Sequence, residues 1–236
     1  MRWTIKPQPE ADKIDALSKA LNVDTIVATL LVQRGIETFD EAKKFFRPSL
    51  NDLYDPFLMK DMRKAVERIE EAINKGENIL VYGYYDVDGT TSVALMSAYL
   101  METYPNVATY IPDRYLEGYG ISLKGIDFAS DNDMSLIIAL DCGIKAIDQI
   151  KYAKKKGIDV IVCDHHRPGS ELPEAIAVLD PKQEDCEYPY KELCGCGVGF
   201  KLIQALGSKQ GKTIDDLILY LDLVVNYLQL LSYLWS

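Results

Sequence analysis

Beyond residue 77 the chain alternates short, β-rich apolar runs with segments of helical period, and that alternation leaves few folds open. The runs are Ile79–Tyr82, Val107–Ile111, Leu136–Leu140, Val160–Cys163 and Ile176–Leu179. They predict an α/β domain with a mostly parallel five-stranded sheet flanked by helices. An acid follows every run: Asp86 and Asp88, then Asp113, Asp141, Asp164 and Asp180. One such Asp is ordinary turn or cap chemistry. Parallel strands end together, however, so acids behind all five are expected to converge on one crevice.

The region before Glu77 has a different period. Apolar spacing in Ile14-Leu17-Leu21, Ile26-Leu30-Leu31 and Met62-Ala65-Val66-Ile69-Ile73 predicts short helices. Breakers at Arg47-Pro48-Ser49 and Asp55-Pro56 divide them, and Gly76 stops the last. The expected organisation is a helical extension over 1–76, the α/β domain over 77–210 and a helical segment over 211–236.

Composition narrows the function classes. With 48% hydrophobic and 26% charged residues, the 236-residue chain has the balance of a soluble globular protein with enough core to fold. It carries no signal peptide pattern, so the cytoplasm is the default compartment. Five cysteines, an odd number, predict reduced thiols, and Cys194-Gly195-Cys196 is too tight and isolated for a zinc site. A formal charge of −10 argues against a nucleic-acid surface spread over the whole chain, yet is compatible with an acidic, metal-filled pocket.

Three motifs carry chemistry. In Tyr84-Tyr85-Asp86-Val87-Asp88-Gly89-Thr90 a strand turns through acids into a helix. Taken alone, it is either a loop capped by Asp88 or Thr90, or a set of oxygen ligands for a hard cation. An EF-hand is disfavoured because the later ligands are missing. Asp141-Cys142-Gly143 likewise reads either as a cap for the helix around Ala146–Ile150 or as a site acid. The chain's two histidines stand together in Asp164-His165-His166. Neighbours on an extended backbone point apart, so one imidazole is expected to bind metal and the other to face substrate. Carboxylates with one imidazole suit Mn²⁺, with Mg²⁺ an alternative. Two such ions would supply the positive charge that phosphoryl chemistry needs.

The order DxDG, DCG, DHH, each behind an apolar strand, resembles the DHH phosphoesterase superfamily. The flanks Ile111-Pro112-Asp113-Arg114-Tyr115-Leu116-Glu117-Gly118-Tyr119-Gly120 and Leu193–Lys201, with Leu31-Val32-Gln33-Arg34-Gly35, are similar to its RecJ-like branch of single-strand-specific 5′→3′ DNA exonucleases. The likeness spans roughly residues 1 to 225. It implies that Asp86, Asp88, Asp141 and His165 are metal ligands, with Asp141 bridging two ions. It also implies that His166 contacts the scissile phosphate and that Asp164 orients the imidazoles. Arg114 and Tyr119 then touch the substrate, or else simply brace a surface loop. The implied substrate is single-stranded DNA, in repair and recombination, alongside a single-strand-binding protein or helicase and away from membranes.

Two departures from the pattern predict impaired activity. The family motif carries Asp or His where this chain has Tyr84, and a phenol with a pKa of about 10 is a poor ligand for a hard cation. One of the two metal positions is therefore expected to be weak. The resemblance also implies a further metal-binding Asp shortly after Asp222-Leu223-Val224, where the chain reads Val225-Asn226-Tyr227-Leu228-Gln229 and has no later acid. This ending, which lacks the family's second domain and nucleic-acid-binding module, reads as truncated or frameshifted. Asp222, Asn226 and Gln229 within it favour a helix packed on the domain over a membrane span. Two other readings compete: a DHH enzyme acting on short oligonucleotides, cyclic dinucleotides or pyrophosphate, and a catalytically inactive DHH binding module.

Overall fold

The computed structural model describes residues 6–224 and divides the chain into two compact units, Met1–Leu53 and Tyr54–Ser236. In the first unit, α1 (Ala11–Leu21) and α2 (Thr25–Val32) close a small core of Leu17, Ala28, Leu31 and Val32. A third helix, α3 (Phe39–Phe46), follows. The apolar spacing did not single it out, but its start is written in the chain. The Thr38 hydroxyl accepts from the Glu41 amide and the Glu41 carboxylate accepts from the Thr38 amide, a reciprocal cap.

The boundary lies earlier than the change of period suggested, because α4 (Met62–Lys75) belongs to the second unit. Ala65, Val66, Ile69 and Ala72 recur on one face of this helix and are buried in the same core as Ile79, Val81 and Ile138 of the sheet. Helical period thus told what α4 is but not which core it serves. Gly76 ends it at φ 70°, a left-handed conformation that glycine adopts without penalty.

The remaining elements alternate as far as β4, which β5 follows without an intervening helix: β1 (Asn78–Gly83), α5 (Val87–Met101), β2 (Val107–Tyr110), α6 (Leu123–Asp131), β3 (Met134–Leu140), α7 (Ile147–Lys155), β4 (Asp159–Cys163), β5 (Ala177–Leu179) and α8 (Gly195–Lys209). The strands form one parallel five-stranded sheet in the order β2-β1-β3-β4-β5, as the five apolar runs required. Side chains alternate between its faces. Val81, Ile138, Leu140, Ile161 and Leu179 point to a core shared with α4, α5 and α8. Leu80, Tyr82, Ile137, Ala139 and Val162 point to a second core shared with α6 and α7.

Strand order reverses at β1, with β2 on one side and β3 on the other. At such a point the connections leave the strand ends in opposite directions and open a crevice beyond the carboxyl edge. Asp86 and Asp88 follow β1 and Asp141 follows β3, so three of the expected acids flank this opening. All five cysteines are free and buried. Among the described residues no helix is long and apolar enough to cross a membrane. The expectations for Val225 to Ser236 lie outside the described residues.

A buried lysine ties α8 to the start of the second unit. Lys201 on α8 is 3% exposed, and its ammonium donates to the Tyr54 carbonyl and to Gln204 Oε1, both at 2.8 Å. Burial pushes its pKa down to about 8. The unfolded chain therefore holds this proton more tightly between about pH 8 and the ordinary lysine value, and stability contributed at this position rises with pH across that window. Relative to Lys201→Met, the wild type is expected to gain about 3 kcal/mol between pH 7.5 and 10.5. Urea denaturation of both proteins at the two pH values checks this, and a constant difference would rule it out.

Candidate metal centre in the acidic crevice

The loop after β1 enters α5 under tight steric control. A side chain at Gly89 would place its Cβ 2.3 Å from the Tyr84 carbonyl oxygen, so only glycine lets the helix start this close to the strand. Asp86, rather than Asp88 or Thr90, caps the helix: its exposed carboxylate accepts from the Gly89 amide at 2.9 Å. Asp88, freed from capping, turns inward and is 2% exposed. Its two oxygens accept from the Gly195 and Cys196 amides, each at 2.7 Å, at the amino end of α8. Burial raises the Asp88 pKa, against the opposing pull of those two amides. A carboxylate at a helix amino terminus also meets the positive end of the helix dipole.

Asp141 caps nothing, since α7 begins six residues later behind Ala146 with no side-chain cap. It adopts φ 58°, where Asp is one of the few non-glycine residues tolerated. Its amide donates to the Cys163 carbonyl at 2.8 Å, which extends the β3–β4 pairing into the crevice. The carboxylate lies against α8 so closely that a Cβ on Gly195 would meet Asp141 Oδ1 at 2.6 Å. Oδ1 is buried, and among the described residues the His165 imidazole is the one polar group within its reach. It stands 3.1 Å from His165 Nε2, which is also 3.5 Å from Asp88 Oδ2. Burial, reinforced by the charges of Asp88 and Asp86, pushes the Asp141 carboxyl up to about 7. For His165, burial acts to lower the pKa, but Asp141 and Asp88 outweigh it and the net direction is up.

Asp164 works differently from the other acids. It is 1% exposed and fully engaged. Oδ1 accepts from the His165 amide at 2.7 Å and the His166 amide at 3.1 Å and lies 2.7 Å from His166 Nδ1, while Oδ2 accepts from the Ile144 amide at 2.9 Å. This leaves the carboxylate to orient His166 and raises the pKa of that imidazole. His166 Nε2 faces outward, 3.4 Å from the Tyr119 hydroxyl.

The remaining candidates fall into two groups. Tyr84, Tyr85 and Tyr119 form an aromatic cluster, with ring centres 3.9 Å apart for Tyr84–Tyr85 and 4.7 Å for Tyr84–Tyr119. The Tyr84 and Tyr85 hydroxyls are hydrogen-bonded to each other, and Arg114 lies 5.3 Å over the Tyr85 ring. Tyr84 is 7% exposed, and burial raises its pKa well above the usual phenol value. Its phenol therefore holds its proton more tightly than a free tyrosine does. Asp113 does not join the cluster as the strand-end pattern suggested, whereas Asp180 lies close enough to feel the charges of Asp164 and His165 and has a buried Oδ2 without a hydrogen-bond partner among the described residues. Exposed Asp113 accepts from the Tyr115 and Leu116 amides in its own turn. Fully buried Asp180 accepts from the Lys182 amide at 2.7 Å, and burial pushes its carboxyl up to about 6.

Asp88, Asp141 and His165, at 53 and 24 positions from one to the next along the chain, thus meet at one point, and Asp141, His165 and His166 each offer a donor atom within 4.8 Å of the others. The donor set fits a divalent cation. Asp141 Oδ1 is a buried acceptor with only an imidazole nitrogen beside it, and a cation between them would satisfy both. The α8 amides on Asp88 and the Tyr85 ring under Arg114 were not recognised from sequence. The glycine run Gly195-Cys196-Gly197 opening a helical segment is the signal for the first.

The family model described as "DHH family, N-terminal domain" matches residues 78–226. The single-stranded-DNA-specific exonuclease RecJ of Bacillus subtilis is 45% identical over 218 residues, covering 92% of this chain and 27% of that protein. The Escherichia coli protein of the same name is 36% identical over 183 residues, covering 77% of this chain and 31% of its own length. The chain therefore spans about a third or less of these relatives. Among solved structures, RecJ of Thermus thermophilus in complex with Mn²⁺ superposes with a TM-score of 0.73 at 28% identity, over 94% of this chain and 31% of that one. A manganese-bound exonuclease RecJ superposes with a TM-score of 0.64 at 32% identity, over 70% of this chain and 42% of that one.

Proposed function

The chain belongs to the DHH family, and on that premise we propose that it hydrolyses phosphodiesters in single-stranded DNA from the 5′ end with the help of Mn²⁺ or Mg²⁺. The observation that carries the proposal is the buried Oδ1 of Asp141 with His165 Nε2 beside it and no other polar partner among the described residues. In this reading Asp141, His165, Asp88 and Asp86 hold the metal. Asp88 does so while anchored to α8, and Asp86 from its exposed cap position. A divalent ion supplies charge to offset the phosphate and acidity to activate water. The chain's own groups do the rest. His166, held by Asp164 with a raised pKa, presents Nε2 to the scissile phosphate as a proton-bearing contact. Arg114 and Tyr119, grouped with Tyr85 at the mouth, grip the strand by charge and stacking.

Single-stranded DNA has to be exposed by another activity, so a helicase or single-strand-binding protein is the partner this reading calls for, in repair and recombination. The free, buried cysteines support a reducing compartment such as the cytoplasm. The test is release of mononucleotides from 5′-labelled single-stranded DNA with Mn²⁺, by this chain and by a version extended to the length of its relatives. His166→Ala is expected to lower the rate roughly 100-fold or more while Mn²⁺ affinity stays within about threefold. Loss of Mn²⁺ binding in that variant would make His166 a ligand instead. Equal cleavage of duplex DNA, or a preference for cyclic dinucleotides or pyrophosphate, would replace the substrate assignment.

Tyr84 supports a second reading, a DHH domain that binds without turning over. Its neutral, hydrogen-bonded phenol occupies the position of an acid in the family motif, leaving one of two metal positions weak. Tyr84→Asp is expected to raise Mn²⁺-dependent cleavage by roughly tenfold or more and to add a second bound ion. Unchanged cleavage and stoichiometry, by titration calorimetry, would clear Tyr84 as the defect.

A further inference from the structure

Beside His166 the surface opens into a cleft of about 140 Å³ whose walls include Tyr119, Ile121, Cys142, Ile144, Ala146 and Gln149. Of the crevice residues discussed above, Asp164, His166 and Tyr119 line it, and Asp86, Asp88, Asp141 and His165 do not. The cleft is thus a separate compartment that shares one wall with the metal centre. Its floor is apolar and buried, with Ile121, Cys142 and Ile144 each 3% exposed or less. At Gly143, φ is 114° and an added Cβ would meet Ile121 and Val162 at 3.2 Å, so the floor is closely built. The rim is polar: Lys145 is exposed and Gln149 half-buried. The Tyr119 ring, 70% exposed, stands at the mouth.

Sites for whole small ligands usually enclose about 300–1,000 Å³, so this cleft takes one flat ring and not an entire nucleotide. A nucleobase has the matching chemistry. Its faces are apolar enough for Ile121 and Ile144 and stack on Tyr119, and its edge carries both donors and acceptors for the Gln149 amide. We propose that the cleft is a nucleobase pocket that seats the single-ring base of the nucleotide whose phosphate rests on His166. The inference rests on the reading that His166 faces the phosphate. It adds a base-binding subsite and a preference for pyrimidines at that position.

Equilibrium binding of dTMP, dGMP and deoxyribose 5-phosphate to the Mn²⁺-loaded chain tests it. The wild type is expected to bind dTMP roughly tenfold more tightly than the baseless sugar phosphate, with dGMP close to the latter. Gln149→Ala should reduce the dTMP advantage severalfold, and Ala146→Leu, which fills the cleft, should erase it. Neither variant should change affinity for deoxyribose 5-phosphate, and equal melting temperatures confirm that both fold. The pocket is overturned if both variants keep the full dTMP advantage, or if the wild type binds all three ligands equally. The second outcome leaves the phosphate reading intact. If none of the three binds, the functional reading falls and the pocket with it.

Discussion

Replacing Asp141 with Asn is expected to abolish metal-dependent stabilisation without harming the metal-free fold. Asn tolerates φ 58° and keeps an oxygen in place, so the backbone turn survives. What disappears is a buried negative charge whose Oδ1 has only the His165 imidazole beside it and which stands near Asp88 and Asp86. Such a charge is costly in the absence of a cation. At pH 8 without metal the variant should therefore melt at or above the wild-type temperature. With Mn²⁺ at about one hundred times its dissociation constant, the wild type should gain about 2.7 kcal/mol, or roughly 5–10 °C, and the variant nothing. Thermal melts with and without Mn²⁺ measure both numbers. An Asn variant that still gains stability from Mn²⁺ would place the ion elsewhere.

Asp88→Ala should behave in the opposite way and destabilise the protein even without metal. It removes the acceptor for two buried amides that open α8, a helix that supplies a large share of the core beneath the sheet. Hydrogen bonds to a charged group contribute about 1.5–3 kcal/mol each, and part of that offsets the cost of burying the carboxylate. A net loss of about 2–4 kcal/mol in urea unfolding is expected. Asp86→Ala removes only an exposed cap and should cost about 1 kcal/mol. Equal losses for the two would contradict the structural role assigned to Asp88.

Much of this was legible in the chain because it depends on local period. Alternation of apolar runs and helical segments defines a parallel α/β sheet. Acids behind the strands, with Asp164-His165-His166 behind β4, mark the edge where chemistry collects. Other features were not legible. Helical spacing identified α4 but could not assign it to the second core, because an amphipathic face does not name its partner. Strand-end position alone could not separate the acids. Asp113 is consumed by its own turn and Asp164 by four donors around it, while Asp141 is left with an oxygen that has only the His165 imidazole beside it.

The difference between acids of one type is decided by what arrives from far along the chain. Asp88 is held by amides 107 and 108 residues away. His165 reaches both Asp88 and Asp141 across the crevice. Tyr84 packs against Tyr119 and is hydrogen-bonded to Tyr85. Residue order alone settles which elements form and on which edge their acids stand, since period and turn chemistry act over a few residues. Which oxygen has only an imidazole beside it and which phenol stays neutral depends on burial and on hydrogen-bond donors that only the folded chain brings together.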